Sequence, residues 1–301
     1  MTLNTKKVIF IVGPTAIGKT KISIELAKEF NTEIISCDSR QFYKELRIGS
    51  APPSKKALSE VKHHFIHNLS VTDDYNAGQF EIDAMELIKE LHQTNDTIIV
   101  IGGSGLYIDS ICKGFDALPE IPKITRNKIN LEYDKRGVIW LQKQVERIDP
   151  EFYKTCDTNN PQRLLRALEV FKETGRKFSS FKSNRTKVRK FKIIKIGLNI
   201  ERSILYERIN KRVDVMIENG LLEEVSSLLK FQHKNALQTV GYKEIFAFLN
   251  NECSLQTAVE YIKQNTRRFA KRQLTWFRKD KEINWFEPDQ LIEIQKLISE
   301  L

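Results

Sequence analysis

No apolar run in the 301 residues approaches the roughly 20 that a membrane-crossing helix needs. A helical membrane protein is excluded on that ground. The first residues, Met1 to Lys7, lead into a short apolar segment and then a Gly-rich loop. They lack the apolar stretch and small-residue cleavage site of a secretory signal, so a soluble cytoplasmic protein is expected. Cysteine is scarce: Cys37, Cys112, Cys156 and Cys253 are far apart and form no CxxC pair. That excludes the usual structural zinc and disulfide frameworks and leaves reduced thiols in or near the core. Internal repeats and low-complexity linkers are also missing. With 41% hydrophobic and 29% charged residues the chain is not disordered, and its length suits one large domain or two ordinary ones.

Charge is unevenly placed. Residues 1–150 carry 20 Lys/Arg and 20 Asp/Glu, while residues 151–301 carry 29 and 19, so the whole net charge of +10 sits in the second half. Arg176, Lys177, Lys182, Arg185, Lys187, Arg189, Lys190, Lys192 and Lys195 follow one another with no acid between. Such a run reads either as a site for a polyanion larger than a nucleotide or as a plain solvated surface.

Hydrophobic patterning predicts a parallel sheet. Val8–Val12 is a continuous apolar run ending in Gly13, as in a strand buried on both faces. A helix is expected from Gly18 to about Phe30, a short strand at 33–36, a helix at 78–92 and a third buried strand at 97–101. Strands alternating with helices imply an α/β doubly wound core. From Gly114 the pattern changes: Pro119 and Pro122 punctuate a loop, and helical, charged segments run to about Thr174. Residues 191–198 read as a strand returning to the sheet. We therefore expect a core of 1–113 plus 191–301 and a mostly helical insertion over 114–190. Beyond the returning strand the chain is predominantly helical, at about 202–219, 220–231, 241–249, 254–280 and 288–300.

The sharpest motif is Gly13-Pro14-Thr15-Ala16-Ile17-Gly18-Lys19-Thr20, which fits GxxxxGK[ST] between a strand and a helix. Backbone N–H groups of such a loop cradle a diphosphate, the lysine adds charge, and the threonine hydroxyl suits Mg²⁺. ATP-using proteins with this loop usually carry an acidic residue after a buried strand. Here the strand at 97–101 runs into Gly102-Gly103-Ser104-Gly105, with no acid, which points away from phosphoryl transfer. Ser104 offers a hydroxyl at the carboxyl edge of the sheet, or a helix N-cap. Asp38, after the second strand, is a candidate Mg²⁺ ligand, proton acceptor or N-cap.

Taken in order, Gly13–Thr20, Asp38-Ser39-Arg40-Gln41, Gly102-Gly103-Ser104-Gly105-Leu106-Tyr107, the segment Asn160 to Val170, Gly241-Tyr242-Lys243-Glu244 and Lys271 to Arg278 resemble the tRNA dimethylallyltransferase family. The resemblance spans about residues 8 to 280. It implies a P-loop-like core, a tRNA-binding helical insertion, and transfer of a dimethylallyl group from dimethylallyl diphosphate to N6 of adenosine 37 of tRNA. The loop Gly13–Thr20 would then hold a leaving diphosphate, with Mg²⁺ at Thr20. Asp38 would accept the N6 proton. Ser104, where the family usually has threonine, would face the oxygen bridging the allyl group and diphosphate. Arg208 or Arg212 would clamp the diphosphate; they are one turn apart, and Arg208 is slightly preferred.

For tRNA the resemblance implies contacts from Asp38, Ser39, Arg40, Gln41, Ser104, Arg126, Gln162, Arg163, Leu164, Leu165, Arg166, Lys271 and Arg272, and a monomeric enzyme. The target base must leave its stack to react, and Asp38 to Gln41 could read it. Arg267, Arg268 and Arg278, interleaved with Phe269, Trp276 and Phe277, offer a surface for the stem, although the aromatic spacing equally suits core packing. Two departures flank this face: Pro52 replaces the family's usual lysine, and His67 its aspartate. Three other readings compete. An isopentenyltransferase for free adenine nucleotides would not need the basic insertion. A small-molecule kinase would transfer the ATP γ-phosphate. An idle RNA-binding protein would be expected to lack Asp38 or Lys19.

Overall fold

In the computed structural model, which describes residues 6–183 and 186–301, the first apolar run forms β1 (Lys7–Val12). Val8, Phe10 and Val12 pack into one core and Ile9 and Ile11 into a second on the opposite face. Burial on both faces is why the run is continuous rather than alternating. The chain continues through α1 (Lys19–Glu29), β2 (Ile34–Ser36), α2 (Lys55–Glu60), β3 (His63–His64), α3 (Ala77–Leu91), β4 (Thr97–Gly102) and α4 (Gly105–Cys112). Asn76 starts α3 by accepting the N–H groups of Gly78 and Gln79 at 2.9 and 3.1 Å. Three helices follow: α5 (Lys123–Ile148), α6 (Pro150–Thr155) and α7 (Pro161–Thr174). Then come β5 (Lys192–Leu198), α8 (Arg202–Glu218), α9 (Leu221–Ser227), α10 (Tyr242–Leu249), α11 (Leu255–Phe277), β6 (Ile283–Phe286) and α12 (Leu291–Glu300).

The sheet is all parallel, in the order β3-β2-β4-β1-β5-β6. Its two edge strands differ from the sequence expectation. Residues 283–286 were read as a connection between helices and form β6, while α11 stops at Phe277 rather than 280. β3 is only two residues long, too short to leave a period. Its histidines point apart, His63 Nδ1 bonding Val61 O at 2.8 Å and His64 Nε2 bonding Glu33. In place of one helix over 220–231, α9 ends at Ser227 and a 3₁₀ turn follows at Leu229–Phe231.

Contacts divide the backbone into two units, Met1–Cys112 with Val188–Leu301, and Lys113–Lys187. The core unit reclaims the chain at Val188 because Arg189 is buried in it. Its guanidinium donates to Ile111 O at 2.7 Å and Ser110 O at 2.8 Å, and pairs with Glu81 at 3.2 Å.

The inserted unit has its own core, made by Ile129, Leu141, Val145, Phe152, Leu164, Leu165, Ala167 and Leu168. α5 is broken at Gly137, whose φ of 72° lies outside the helical region. Asp149 starts α6 by accepting the Phe152 N–H at 3.1 Å, and also holds the Ser179 N–H at 2.7 Å. Asn160 and Pro161 start α7 in the same manner, the Asn160 side chain accepting the Arg163 N–H. Here one expectation is corrected: Leu164 and Leu165 are buried, at 0% and 5% exposure, so their side chains serve this core and not an RNA surface. Gln162 and Arg163 are exposed. Arg126 and Arg166 each lie 3.5 Å from the buried Glu169, which holds both guanidinium groups beside the middle of α7.

Candidate active site

The carboxyl ends of β1, β2 and β4 deliver three loops to one cavity of about 770 Å³ in the core unit. This is where a doubly wound sheet places its ligands. The β1 loop turns through Ala16 (φ 64°) and Gly18 (φ 105°), the latter preceding the first residue of α1. The turn leaves the α1 N-terminus without a side-chain cap and with a favourable dipole toward the cavity.

Lys19 is folded back on its own loop, donating to Gly13 O at 3.0 Å and Pro14 O at 2.8 Å. Burial pulls its pKa down to about 8; the Asp38 charge opposes that shift and the Arg212 charge adds to it. Thr15 lies between two anchors. Its hydroxyl accepts from Arg212 Nη1 at 3.2 Å, and its N–H donates to Gln273 Oε1 at 2.9 Å. Thr20 lines the cavity in the first turn of α1.

Of the two candidate clamps the structure brings in Arg212. Arg208, preferred from sequence, is exposed and lies outside the cavity lining. Both flank the buried stripe Leu205, Ile209 and Val213, but only the later turn of α8 reaches Thr15. Burial also lowers the pKa of Arg212.

Asp38 faces the same cavity and turns its own chain, accepting the Arg40 N–H at 3.0 Å. It does not cap a helix, since the residues after it form turns. Ser104 Oγ accepts the Ser39 N–H at 3.1 Å, which ties the β4 loop to the β2 loop. Tyr107 lines the wall beyond, and burial pushes its hydroxyl pKa up to about 12. Arg40 and Gln41 are engaged within the protein. Arg40 donates to the carbonyls of Asn235 and Ala236 at 3.0 and 3.2 Å. Gln41 accepts from Ser36 Oγ and donates to Ala51 O, both at 3.1 Å. Both also line the cavity. Gly49, Ser50, Ala51 and Pro53 line it, whereas Pro52 and His67 do not.

α11 supplies another wall. Phe277 is buried in the core, but Phe269 and Trp276 are 37% and 38% exposed and line the cavity with Arg272. Trp276 Nε1 donates to Asp109 at 3.1 Å, and its ring lies so close to Gly105 that a Cβ there would come within 2.4 Å. Lys271 is exposed and outside the lining.

Two supports were not legible beforehand. Gln273 is one. The other is Glu224, which accepts the N–H groups of Arg47 and Ile48 at 2.8 Å, that of Gly49 at 3.0 Å, and the Tyr242 hydroxyl at 2.6 Å. Tyr242 stands against Gly49 and is fully buried. Glu224→Ala is therefore expected to destabilise the protein by about 2–3 kcal/mol, a fall in thermal midpoint of about 5 °C by scanning calorimetry. An unchanged midpoint would show that solvent satisfies these groups.

Residues 41–280 match the family described as IPP transferase. A tRNA dimethylallyltransferase of Christiangramia forsetii is 53% identical over 94% of this chain and 93% of its own, and one of Flavobacterium johnsoniae is 48% identical over 94% and 93%. Among solved structures, the full-length tRNA isopentenylpyrophosphate transferase of Bacillus halodurans superposes with a TM-score of 0.73 at 34% identity, covering 98% of this chain and 96% of the other. A eukaryotic dimethylallyltransferase described as acting on tRNA gives 0.80 at 25% identity, over 98% and 77%. A phosphate loop, a facing carboxylate and a hydroxyl at the β4 edge thus come with sequence identity along almost the entire chain: the protein belongs to the IPP transferase family.

Proposed function

We propose that this protein transfers the dimethylallyl group of dimethylallyl diphosphate to N6 of adenosine 37 in tRNA, releasing diphosphate. The observation that carries the reading is one cavity lined by a diphosphate loop, a carboxylate and a hydroxyl, with no acid at the end of β4. The C–O bond to the bridging oxygen breaks and its electron pair leaves with the diphosphate. The N6 lone pair forms the new C–N bond at the allylic carbon, and the N6 proton passes to Asp38. Adenine N6 is a weak nucleophile because its lone pair is delocalised into the ring, so removing its proton as the bond forms lowers the barrier. Lys19, Arg212, the loop N–H groups and the Ser104 hydroxyl stabilise charge on the leaving group.

Magnesium suits the donors present. The Thr20 hydroxyl is a hard oxygen ligand, and the described residues contain no cluster of three or more His, Cys, Asp or Glu. An ion held by Thr20 and otherwise by phosphate oxygens and water fits that set. It would supply charge neutralisation to the diphosphate. The inserted unit carries 17 Lys/Arg against 10 Asp/Glu, which favours it as the holder of tRNA phosphates, with Gln162, Arg163 and Arg166 on α7 and Arg126 on α5. In the core unit, Lys271 and Arg272 on α11 are further candidates for phosphate contacts. We take the enzyme to act as a monomer in the cytoplasm. Among the described residues no helix is long and apolar enough to cross a membrane.

The test is a transfer assay with labelled dimethylallyl diphosphate, Mg²⁺ and unmodified tRNA bearing adenosine 37, run beside AMP and ADP. Label in the tRNA alone is expected. Label in the nucleotides alone would replace the proposal with a free-nucleotide transferase, and label in neither would remove prenyl transfer altogether.

A further inference from the structure

We propose that Gln273 is a positioning residue that sets the separation between the two halves of the leaving-group site, the phosphate loop and the Ser104 turn. The inference rests on the prenyl-transfer reading for its kinetic consequence, but its geometry stands without it. β1 and β4 are held in register as far as Val12 opposite Gly102. Beyond that pair β1 and β4 are no longer paired, and each runs into its own loop. Lys19 lies on one of them and Ser104 on the other.

Gln273, 6% exposed on α11, spans the gap. Its Oε1 accepts the Thr15 N–H at 2.9 Å, and its Nε2 donates to Gly103 O at 2.9 Å. The amide orientation is fixed by chemistry, because only the oxygen can face an N–H and only the nitrogen can face a carbonyl. There is no slack on the β4 side: a Cβ on Gly103 would lie 2.2 Å from Nε2. The link is one span of a longer polar chain. Arg212 bonds the Thr15 hydroxyl, Gln273 joins Thr15 to Gly103, and Ser104 joins the N–H of Ser39, next to Asp38. The clamp on the leaving group and the acceptor of the N6 proton are thereby referred to one frame. A transfer reaction needs such a frame, since displacements of about 1 Å cost on the order of 10²-fold in rate.

Gln273→Met keeps similar bulk and loses both bonds. In the full-length protein its single-turnover transfer rate is expected to fall by about 10- to 100-fold. Inorganic diphosphate should bind about tenfold more weakly, because the loop is no longer tethered through Thr15. Affinity for tRNA should stay within about twofold, since Gln273 is buried. Gln273→Glu supplies the second readout. Ionised, it can still accept from Thr15 but cannot donate to Gly103; protonated, it can do both. Its rate relative to wild type should therefore rise as pH falls, while the Gln273→Met ratio stays flat.

Gln273→Met with a wild-type rate, or a rate loss that tracks only the fraction of unfolded protein, would overturn the proposal. If Gln273→Met does not fold, a pH-independent ratio for Gln273→Glu would do the same. Wild-type protein that binds inorganic diphosphate but transfers nothing would sink the prenyl-transfer reading alone. The diphosphate titration would then decide for Gln273, with unchanged affinity in Gln273→Met counting against it.

Discussion

Asp38→Asn is expected to lower the transfer rate by about 10²–10⁴-fold, the usual worth of a positioned general base. The amide keeps an oxygen for the Arg40 N–H, so the turn at Asp38 should survive and tRNA affinity should change little. A second consequence concerns Lys19. Burial holds its pKa near 8, and the Asp38 charge opposes that fall. With Asp38 neutralised, the lysine should lose its proton at still lower pH. Diphosphate binds the protonated amine, so affinity is full below the Lys19 pKa and declines as pH rises through it. The decline should begin at about pH 8 in the wild-type protein and earlier in Asp38→Asn. Calorimetric titration with inorganic diphosphate across that range would show it. Coincident pH curves would mean that the two side chains are not coupled.

Arg212→Ala should raise the KM for dimethylallyl diphosphate and lower the turnover number, for a combined loss of about 10²-fold in kcat/KM. Arg208→Ala should leave kcat/KM within about twofold, because that side chain is exposed and outside the cavity. The Arg212 change also acts on Lys19, with the opposite sign to Asp38→Asn. The Arg212 charge lowers the Lys19 pKa, so its removal should move the alkaline decline in diphosphate binding to higher pH. A larger loss from Arg208→Ala than from Arg212→Ala would reverse the assignment.

These two residues mark the boundary of what the sequence discloses. The loop Gly13–Thr20 was readable because it is contiguous: seven residues of separation carry its function, and the flanking strand and helix have clean periods. Asp38 and Ser104 were readable because each follows a buried strand, and parallel strands bring their carboxyl ends to one edge. The choice between Arg208 and Arg212 was not readable. Both flank the buried face of α8, and only the reach of that helix past Thr15 separates them. Leu164 and Leu165 were misplaced for a related reason. They sit among polar and basic residues in the sequence, yet helical rotation turns them into the core of the inserted unit. Gln273 and Glu224 act between segments more than 150 residues apart, and no local pattern encodes such a meeting. β3 and β6 escaped because two and four residues at a sheet edge are held by their neighbours rather than by an alternation of their own.

The ends of the inserted unit have a consequence of a different kind. Lys187 N–H donates to Lys113 O at 2.8 Å, so the two ends of the 75-residue unit from Lys113 to Lys187 meet. To the sheet, such a unit is equivalent to a surface loop whose two ends are already closed. Chain entropy changes only slowly with the length of a closed loop. Selection can therefore lengthen, shorten or rebuild this unit without retuning the strands whose carboxyl ends line the cavity, and the two units are free to evolve at separate rates.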